Sequence, residues 1–165
     1  DKLTFAANYG FVDATYQSSF EVNTIDDIQI VNKGNRIPGI ARQTLKLRTS
    51  YEVMPSWNIG GNLVVASGQF ARGAENNQTL LDVSPKIPGY AILNFDTNYN
   101  VSSNWSLFAK VNNVFDKEYS TFGQLEQNIY TESYEQFRTP SAPRAAWVGL
   151  TYNFGSTKKT EIDRD

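Results

Sequence analysis

The chain contains 165 residues, has no cysteine and no histidine, and carries a formal net charge of −2 at pH 7. Without those two residue types, thiol chemistry, the usual zinc sites and Ser-His-Asp or Cys-His catalysis are excluded within these residues. The small net charge gives no reason to expect a nucleic-acid partner. We therefore expect no catalytic residue, no metal site and no cofactor, and interpret the chain as a protein that is not an enzyme.

Apolar and polar residues alternate with a period of two along six stretches, which is typical of strands with one oily and one polar face. The clearest alternation places Leu45 and Leu47 on one face and Lys46 and Arg48 on the other. No apolar run approaches the roughly 18 residues of a membrane helix. The predicted strands lie at residues 2–16, 43–53, 57–65, 91–101, 105–115 and 144–154.

Short turns and long loops alternate between these strands. Short turns are expected at 54–56 and 102–104, and long loops at 17–42, 67–89 and 117–143, the first with a short hairpin around Ile28 to Val31. This order places the turns at one end of the sheet and the long loops at the other, which is rare in soluble sandwiches. The predicted fold class is all-β, an antiparallel up-and-down meander of six long strands.

The polar face of the strands carries charges, which a dry core does not tolerate. The oily face would then contact lipid. Strands of ten to twelve residues, at about 3.3 Å each and tilted by roughly 45°, would cover about 25 Å, the height of the apolar band of a membrane barrel. Gly60 and Gly61 lie mid-strand, where we expect close packing or strand bending. The charged residues predicted to face the lumen are Lys46, Arg48, Glu52, Asp96 and Lys110.

Large aromatic residues cluster beside the short-turn end and share the apolar phase of their strands. Aromatic girdles of this kind mark the interfaces of transmembrane barrels. A soluble core closed at one end by large side chains is the alternative explanation. The predicted girdle residues are Tyr51, Trp57, Tyr99, Trp105, Tyr152 and Phe154.

Six antiparallel strands leave two open edges, and in lipid each unpaired backbone group costs several kcal/mol. With on the order of five exposed groups per edge, the penalty reaches tens of kcal/mol, which exceeds the roughly 5–15 kcal/mol net stability of a domain. Either the loops hide two more strands of a small eight-stranded barrel, or the chain is a piece of a larger barrel.

Two stretches carry a family resemblance. V-N-N-V-F-D-K-E-Y at 111–119 follows a predicted strand, and S-A-P-R at 141–144 leads into A-A-W-V-G-L-T-Y-N-F at 145–154. Together they resemble the C-terminal motifs of TonB-dependent outer-membrane receptors. The resemblance implies that residues 1–154 are a curved segment of such a β-barrel, the last six of about 22 strands, and that the plug domain is absent from this chain. The polar residues 155–165 are predicted to form a disordered tail.

The resemblance also implies a function: import of a scarce nutrient, most often a ferric siderophore and otherwise haem, cobalamin or an oligosaccharide, across the bacterial outer membrane. The implied partners are membrane lipid, the small-molecule ligand, the barrel-assembly machinery, and the TonB complex, which a missing N-terminal part would contact. A passive porin or small eight-stranded barrel, and a soluble β-rich carbohydrate-binding or adhesion module, stay open as alternatives.

The third long loop holds the best candidates for ligand binding. Aromatic faces beside a cation would suit an anionic, aromatic iron chelate. The alternative is that the aromatic rings pack the loop against its neighbours. The candidates are Tyr130, Tyr134, Phe137 and Arg138.

Overall fold

The computed structural model describes residues 2–23, 28–80 and 82–154, so the disorder predicted for residues 155–165 lies outside the described residues. Within those ranges the chain is all-β. A helix with the length and apolar character needed to span a membrane does not occur in this described part. The strands are β1 Leu3–Phe11, β2 Phe20–Asn23, β3 Ile28–Val31, β4 Gln43–Met54, β5 Trp57–Ala66, β6 Gln69–Phe70, β7 Lys86–Ile87, β8 Tyr90–Asn100, β9 Trp105–Asn112, β10 Ser120–Asn128, β11 Ser133–Pro140 and β12 Ala145–Tyr152.

The long strands pair side by side in one antiparallel sheet. Across the described residues this sheet has six strands in the order β1-β4-β5-β8-β9-β12. These six strands follow one another across the sheet in the order in which they occur along the chain. The predicted antiparallel meander is therefore confirmed. Short turns join β4 to β5 and β8 to β9 at one end, and the long loops make the connections at the other end.

The first strand ends earlier than the alternation predicts. β1 stops at Phe11 rather than near residue 16. The partner chain before β4 turns at Pro38 and Gly39, where proline has no N–H to donate and glycine has a positive φ of 78°. The ladder is interrupted there, and pairing returns as an isolated bridge between Thr15 and Arg36.

The long loops contain further strands. β2 and β3 pair within the first loop, which agrees with the short hairpin predicted around Ile28 to Val31. The sequence did not predict the β6–β7 and β10–β11 ladders. The sequence of β10, S-T-F-G-Q-L-E-Q-N, does not alternate between apolar and polar residues, so it gave no strand signal. Leu125 is the one apolar side chain of β10 that is buried.

The register aligns the oily faces of neighbouring strands with one another and, on the other side of the sheet, their polar faces. On the oily face Leu47 pairs with Leu63. On the polar face Gly60 pairs with Asp96, and Asp96 pairs with Lys110. The two faces therefore stay separate across neighbouring strands, as the alternation predicts.

The oily face of the sheet is exposed, whereas the packed core lies in the loops. Leu3 and Val148, on that face, are 62% and 80% exposed. No layer of the described residues covers them. The buried apolar cluster instead joins the second loop to the third and consists of Ala71, Ala74, Ile87 and Leu125, with Val83 packed against it.

An ion pair connects two strands that are not neighbours. Arg48 of β4 and Asp96 of β8 make hydrogen bonds of 2.6 and 3.0 Å across the polar face of the intervening β5. A Cβ at Gly60 of β5 would lie 2.7 Å from Asp96 Oδ2 and 2.9 Å from Arg48 Nη2. The close packing expected at Gly60 is therefore explained by this ion pair, which occupies the space that a side chain at residue 60 would fill.

We predict that Gly60→Ala destabilises the protein by about 1 kcal/mol, because the new methyl group displaces the ion pair. The adjacent Gly61→Ala is the matched control: its Cβ would meet only Thr49 Oγ1, at 3.3 Å. Alanine in that strand position is neutral or slightly stabilising. Equilibrium unfolding in urea measures both free energies. The prediction would be contradicted if the two substitutions had equal effects. It would also be contradicted if Gly60→Ala cost the same free energy in a protein whose Arg48 and Asp96 are both replaced by alanine.

Candidate functional site

The long connections meet at one end of the sheet and contact one another there. We call residues 12–42 loop 1, residues 67–89 loop 2 and residues 113–144 loop 3. They lie at the opposite end from the two short turns. Binding residues are often carried by loops that a rigid scaffold positions, so this layer of loops is the place to search for a binding site.

Asn77 of loop 2 joins loop 1 to loop 2. Its side-chain amide accepts a 2.6 Å hydrogen bond from the Arg36 N–H and donates a 2.9 Å bond to the Arg36 carbonyl. The side chain thus supplies the two bonds that a backbone residue supplies in a strand ladder. Asn77 has a φ of 61°, which asparagine tolerates better than most residues. Next to it, Asn35 Nδ2 donates to the Asn76 carbonyl over 3.2 Å.

Tyr16 and Glu75 lie at the same junction. Burial raises the pKa of the Tyr16 hydroxyl, and the negative charge of Glu75 raises it further. Both effects disfavour the charged phenolate, which would be a second negative charge beside Glu75.

Loop 3 packs on loop 2 through the apolar cluster and through backbone hydrogen bonds. Arg72 N donates to the Gly123 carbonyl over 3.0 Å, and Leu125 N donates to the Arg72 carbonyl over 2.7 Å. A Cβ at Gly123 would lie 2.8 Å from Ile87 Cδ1, so glycine is needed for the close approach of β10. The three loops therefore form one connected layer.

Asn113 fastens the base of loop 3 to the sheet. It is 3% exposed, and its φ of 50° ends β9 at Asn112 rather than at residue 115 as predicted. Its N–H donates to Asn94 Oδ1 over 2.9 Å. Its side-chain amide donates to the carbonyls of Lys117 and Ala142, and accepts a bond from Lys117 N. These bonds give the V-N-N-V-F-D-K-E-Y motif a structural role.

Asp116 joins the two ends of loop 3. Its Oδ1 accepts a 2.8 Å hydrogen bond from Arg144 N, and the Arg144 guanidinium lies 3.9 Å from Oδ2. The ion pair is exposed and contributes about 0–1 kcal/mol. The bond to the backbone fixes where the chain enters β12.

A cleft of about 670 Å³, which we call the base cleft, opens between the end of loop 2 and the two ends of loop 3. Two cations, Lys117 and Arg138, and two acidic residues, Asp116 and Glu118, line it together with Tyr119. Neither cation has an acidic partner among the described residues, and Arg138 Nε donates to the Gln136 side chain. Guanidinium and ammonium groups without acidic partners attract anionic oxygen atoms. No group of acidic side chains suited to a metal ion occurs in the described part of the chain.

The ligand-binding candidates predicted in loop 3 do not share one surface. Tyr134 and Arg138 lie on the face of the β10–β11 hairpin that carries Leu125 toward loop 2, whereas Phe137 lies on the other face. Tyr130 is 91% exposed in the turn between the two strands. Of these candidates, Arg138 lines the base cleft. Ligand binding by all four stays a prediction.

Glu135 organises the turn that presents Tyr130. Its Oε1 accepts hydrogen bonds from Asn128 Nδ2 at 3.1 Å, Thr131 Oγ1 at 2.9 Å and Ser133 Oγ at 3.2 Å. Because these bonds favour the charged carboxylate, the Asn128 bond most of all, they lower the pKa of Glu135. The charge of Glu135 is therefore linked to the conformation of the turn.

The residues predicted to face a lumen all lie on the polar face of the sheet. Arg48 and Asp96 pair with each other. In the described part of the chain, Lys46, Glu52 and Lys110 have no ion partner. This face therefore presents charges of both signs that are available for contact with another segment.

Loop 3 folds over this polar face rather than over the oily one. A cavity of about 230 Å³ lies between loop 3 and the polar-face residues at the outer ends of β5, β8 and β9. Beside it the rings of Tyr90 and Tyr119 are in contact, with centroids 4.6 Å apart and planes tilted by 45°. Ile92 beneath is 6% exposed, and Asn112 Oδ1 is buried without a hydrogen-bond partner in the described chain.

The aromatic residues at the turn end contact one another on the oily face. The ring centroids of Trp105 and Tyr152 are 4.5 Å apart, and Phe154 meets Tyr152 edge-on at 4.6 Å. Trp57 Nε1 donates to Thr97 Oγ1 over 2.8 Å, so its polar atom is satisfied beside an apolar surface. The other predicted girdle residues, Tyr51 and Tyr99, lie on the same face at the same end.

Sequence reasoning missed the residues that join the loops. Asn77 and Leu125 were assigned no role, and Lys117 was read only as part of a motif. One available signal was the Asn76-Asn77 pair in a loop, because asparagine adopts positive φ and bonds to backbone groups. The position of Leu125 in a polar stretch gave no comparable signal.

Comparison with known families gives one match over most of the chain. A family model described as "TonB dependent receptor-like, beta-barrel" matches residues 2–114.

The relatives are named as a siderophore receptor and a metal-pseudopaline receptor. The probable TonB-dependent siderophore receptor PiuA of Acinetobacter baumannii is 27% identical over 158 residues, which cover 93% of this chain and 19% of that protein. The metal-pseudopaline receptor CntO of Pseudomonas aeruginosa is 24% identical over 155 residues, again 93% of this chain and 19% of that protein. The crystal structure of PiuA superposes with a TM-score of 0.73 at 22% identity, over 92% of this chain and 20% of that one. The chain thus spans about a fifth of the length of these relatives.

We predict that Asn113→Ala loosens the base of loop 3, because a buried asparagine with several hydrogen bonds is lost and each unsatisfied partner costs about 1–3 kcal/mol. Limited proteolysis of loop 3 on intact cells measures the effect as faster cleavage. Asn112→Ala is the matched control, because its Oδ1 has no partner in the described chain. Equal cleavage rates in the two variants would contradict the role given to Asn113.

We also predict that acid opens the β10–β11 turn. Because the pKa of Glu135 is lowered, its carboxylate stabilises the turn above the ordinary glutamate pKa of about 4.3, and this contribution is lost as the pH falls through the lowered value. Hydrogen exchange of residues 128–134, corrected for intrinsic rates, should show weaker protection at about pH 3 than at about pH 7. Glu135→Gln should show weak protection at both. Full protection of the unsubstituted turn in acid would contradict the prediction.

Proposed function

Because the chain belongs to the TonB-dependent receptor β-barrel family of the bacterial outer membrane, we propose that it forms the C-terminal wall and outer loops of a nutrient-uptake receptor. The cargo is a ferric siderophore or a similar scarce nutrient, and TonB supplies the energy. The chain provides six of about 22 strands. The plug domain and the segment that contacts TonB belong to the rest of the receptor.

The observation that carries this proposal is the division of one sheet into an uncovered oily face and a charged face, with the long loops gathered at one end. A wall between lipid and a water-filled lumen needs this division. On this proposal, the aromatic residues at the turn end anchor the wall at the inner interface of the membrane. The last strand, with Tyr152 and Phe154 near its end, is the part that the barrel-assembly machinery would recognise.

The charged face contacts the plug domain on this proposal. Lys46, Glu52 and Lys110 have no ion partner in the described chain, and pairing with charges on the plug would neutralise them. Arg48 and Asp96 are already paired and therefore support the wall itself.

The base cleft is the part of this chain that best suits contact with an anionic iron chelate. Arg138 and Lys117 provide positive charge there without acidic partners in the described residues, and Tyr119 provides an aromatic face. The exposed rings of Tyr130 and Phe137 extend the surface of the same loop outward. The cargo named for PiuA is a siderophore and that named for CntO is metal-pseudopaline, which supports a metal chelate as the class.

The test is uptake of radioactive iron by iron-starved cells that carry the complete receptor, supplied with a ferric catecholate or with ferric citrate. We expect uptake to require TonB. The Lys117→Glu, Arg138→Glu double variant should weaken chelate binding by about tenfold or more, because two cations in the cleft become anions.

The matched control is Lys33→Glu, because Lys33 is an exposed cation of loop 1 outside the cleft. Iron uptake that persists without TonB would favour a passive porin. A natural product of 18.5 kDa would overturn the receptor and leave a small barrel or a soluble sheet. Equal binding by the double variant and the control would remove the base cleft from the ligand site.

A further inference from the structure

Strand β11 of loop 3 has one paired edge and one free edge. It pairs with β10 in a two-stranded antiparallel ladder, and the register is continuous from Ser133 to Thr139. The strand contains eight residues, which at about 3.3 Å each span about 26 Å. All eight are exposed or half-buried. The second edge of β11 is therefore long, regular and accessible.

Two backbone hydrogen bonds of β10 show which groups of β11 lie on the free edge. The Gly123 carbonyl and the Leu125 N–H bond to Arg72 of loop 2, so both residues direct their backbone groups away from β11. In an antiparallel pair, two residues directly opposite each other either bond to one another or both direct these groups outward. Arg138 and Gln136 lie opposite Gly123 and Leu125. Their N–H and C=O groups therefore point away from β10.

The outward groups of β11 are unpaired in the described part of the chain. Tyr134 follows the same alternation, so the edge presents the backbone groups of Tyr134, Gln136 and Arg138. Among the described residues, none of these three makes a backbone hydrogen bond outside the ladder. Exposed edges are often blocked by a bulge or a proline. β11 has neither before Pro140, so its edge is open to pairing.

Neighbouring loops of this layer are already joined through their backbones. Gly39 N of loop 1 donates to the Phe70 carbonyl of loop 2 over 2.9 Å, and Arg72 N of loop 2 donates to the Gly123 carbonyl of loop 3 over 3.0 Å. The contacts thus follow the order of the loops along the chain. β11 lies on the side of β10 away from loop 2, and loop 3 leads into β12, an edge strand of the sheet in the described chain. The free edge of β11 is therefore where a following loop would join the layer in the same way.

We propose that the free edge of β11 pairs with an extended segment of the next outer loop of the complete receptor, which adds a third strand to the β10–β11 ladder. A strand edge recognises another backbone through its N–H and C=O groups. The inference rests on the proposed function, because it needs a receptor whose strands and loops continue beyond β12. This chain covers 19% of PiuA, so most of a receptor of that length lies outside the strands and loops of this chain.

The first test is hydrogen exchange at single-residue resolution on the complete receptor in dilute detergent solution. The N–H groups of Glu135 and Phe137 bond to β10 and serve as the internal control. With an added strand, the N–H groups of Tyr134, Gln136 and Arg138 should exchange as slowly as the controls, within about tenfold. Fast exchange at these three positions, alternating with slow exchange at the controls, would overturn the inference.

The second test removes one donor from the edge. Tyr134→Pro deletes an outward N–H and leaves the bonds to β10 in place. Tyr134→Ala is the matched control, because it truncates the same side chain and keeps the N–H. We expect the proline variant alone to exchange about tenfold faster at Gln136 and Arg138, with Glu135 and Phe137 still protected. Equal exchange in the two variants would contradict the added strand, and if proline unfolds the hairpin, the alternation in the unsubstituted receptor decides.

Photo-cross-linking identifies the added strand. Phe137 is 45% exposed, and it would form a non-hydrogen-bonded pair with that strand, in which side chains approach closely. It is replaced by p-benzoylphenylalanine in a mixture of isotopically light and heavy receptors. We expect cross-links to an outer loop of the same polypeptide, without mixed light–heavy products. Mixed products would indicate a second copy and foreign peptides a separate partner; either result, or no cross-link, would overturn the inference.

Failure of the inference and failure of the proposed function are read from different measurements. A free β11 edge in a receptor whose iron uptake depends on TonB would overturn the inference and keep the function. A protected edge in a long barrel whose uptake does not depend on TonB would reject the proposed function and keep the ladder.

Discussion

Backbone hydrogen bonding in hydrocarbon is the constraint on which the rest of this structure depends. In lipid a backbone N–H or C=O finds no water, so each must pair within the sheet. β4, β5, β8 and β9 satisfy this rule on both sides, whereas β1 and β12 each have one side unpaired among the described residues. On the function proposed above, further strands of the receptor continue this sheet on both sides. Relatives about five times as long supply room for those strands.

Outside the membrane the same backbone groups are satisfied in a different way. Asn77 and Asn113 both take positive φ and use their side-chain amides where a strand would use its backbone. A small apolar cluster around Leu125 then holds loops 2 and 3 together. The sheet gains order from a repeating ladder, and the loop layer gains it from a few specific side chains. The ligand site proposed above lies in the second region, where single residues decide the shape.

Much of the sheet could be predicted, because a period-two pattern records which residue faces oil and which faces water. Leu47 and Lys46 are enough to show the division in β4. The end of β1 could not be predicted, because it depends on a turn at Pro38 that lies far along the chain. The ion partner of Arg48 could not be predicted either. Asp96 lies two strands away in the sheet, and alternation shows which face a residue is on but not which residue lies beside it. Arg138 was predicted as a binding candidate from its charge and its aromatic neighbours, whereas the cleft that it lines depends on how loop 3 folds.

The ion pair over Gly60 has a consequence for how the strands find their register. A slip of two residues between strands keeps every oily residue on the oily face, so burial of apolar surface does not distinguish it from the correct pairing. The same slip in β5 would bring Asn58 or Asn62 to the place of Gly60, and their side chains would fill the space through which Arg48 reaches Asp96. A glycine between two opposite charges therefore marks one register as correct where the alternation of oily and polar residues accepts several.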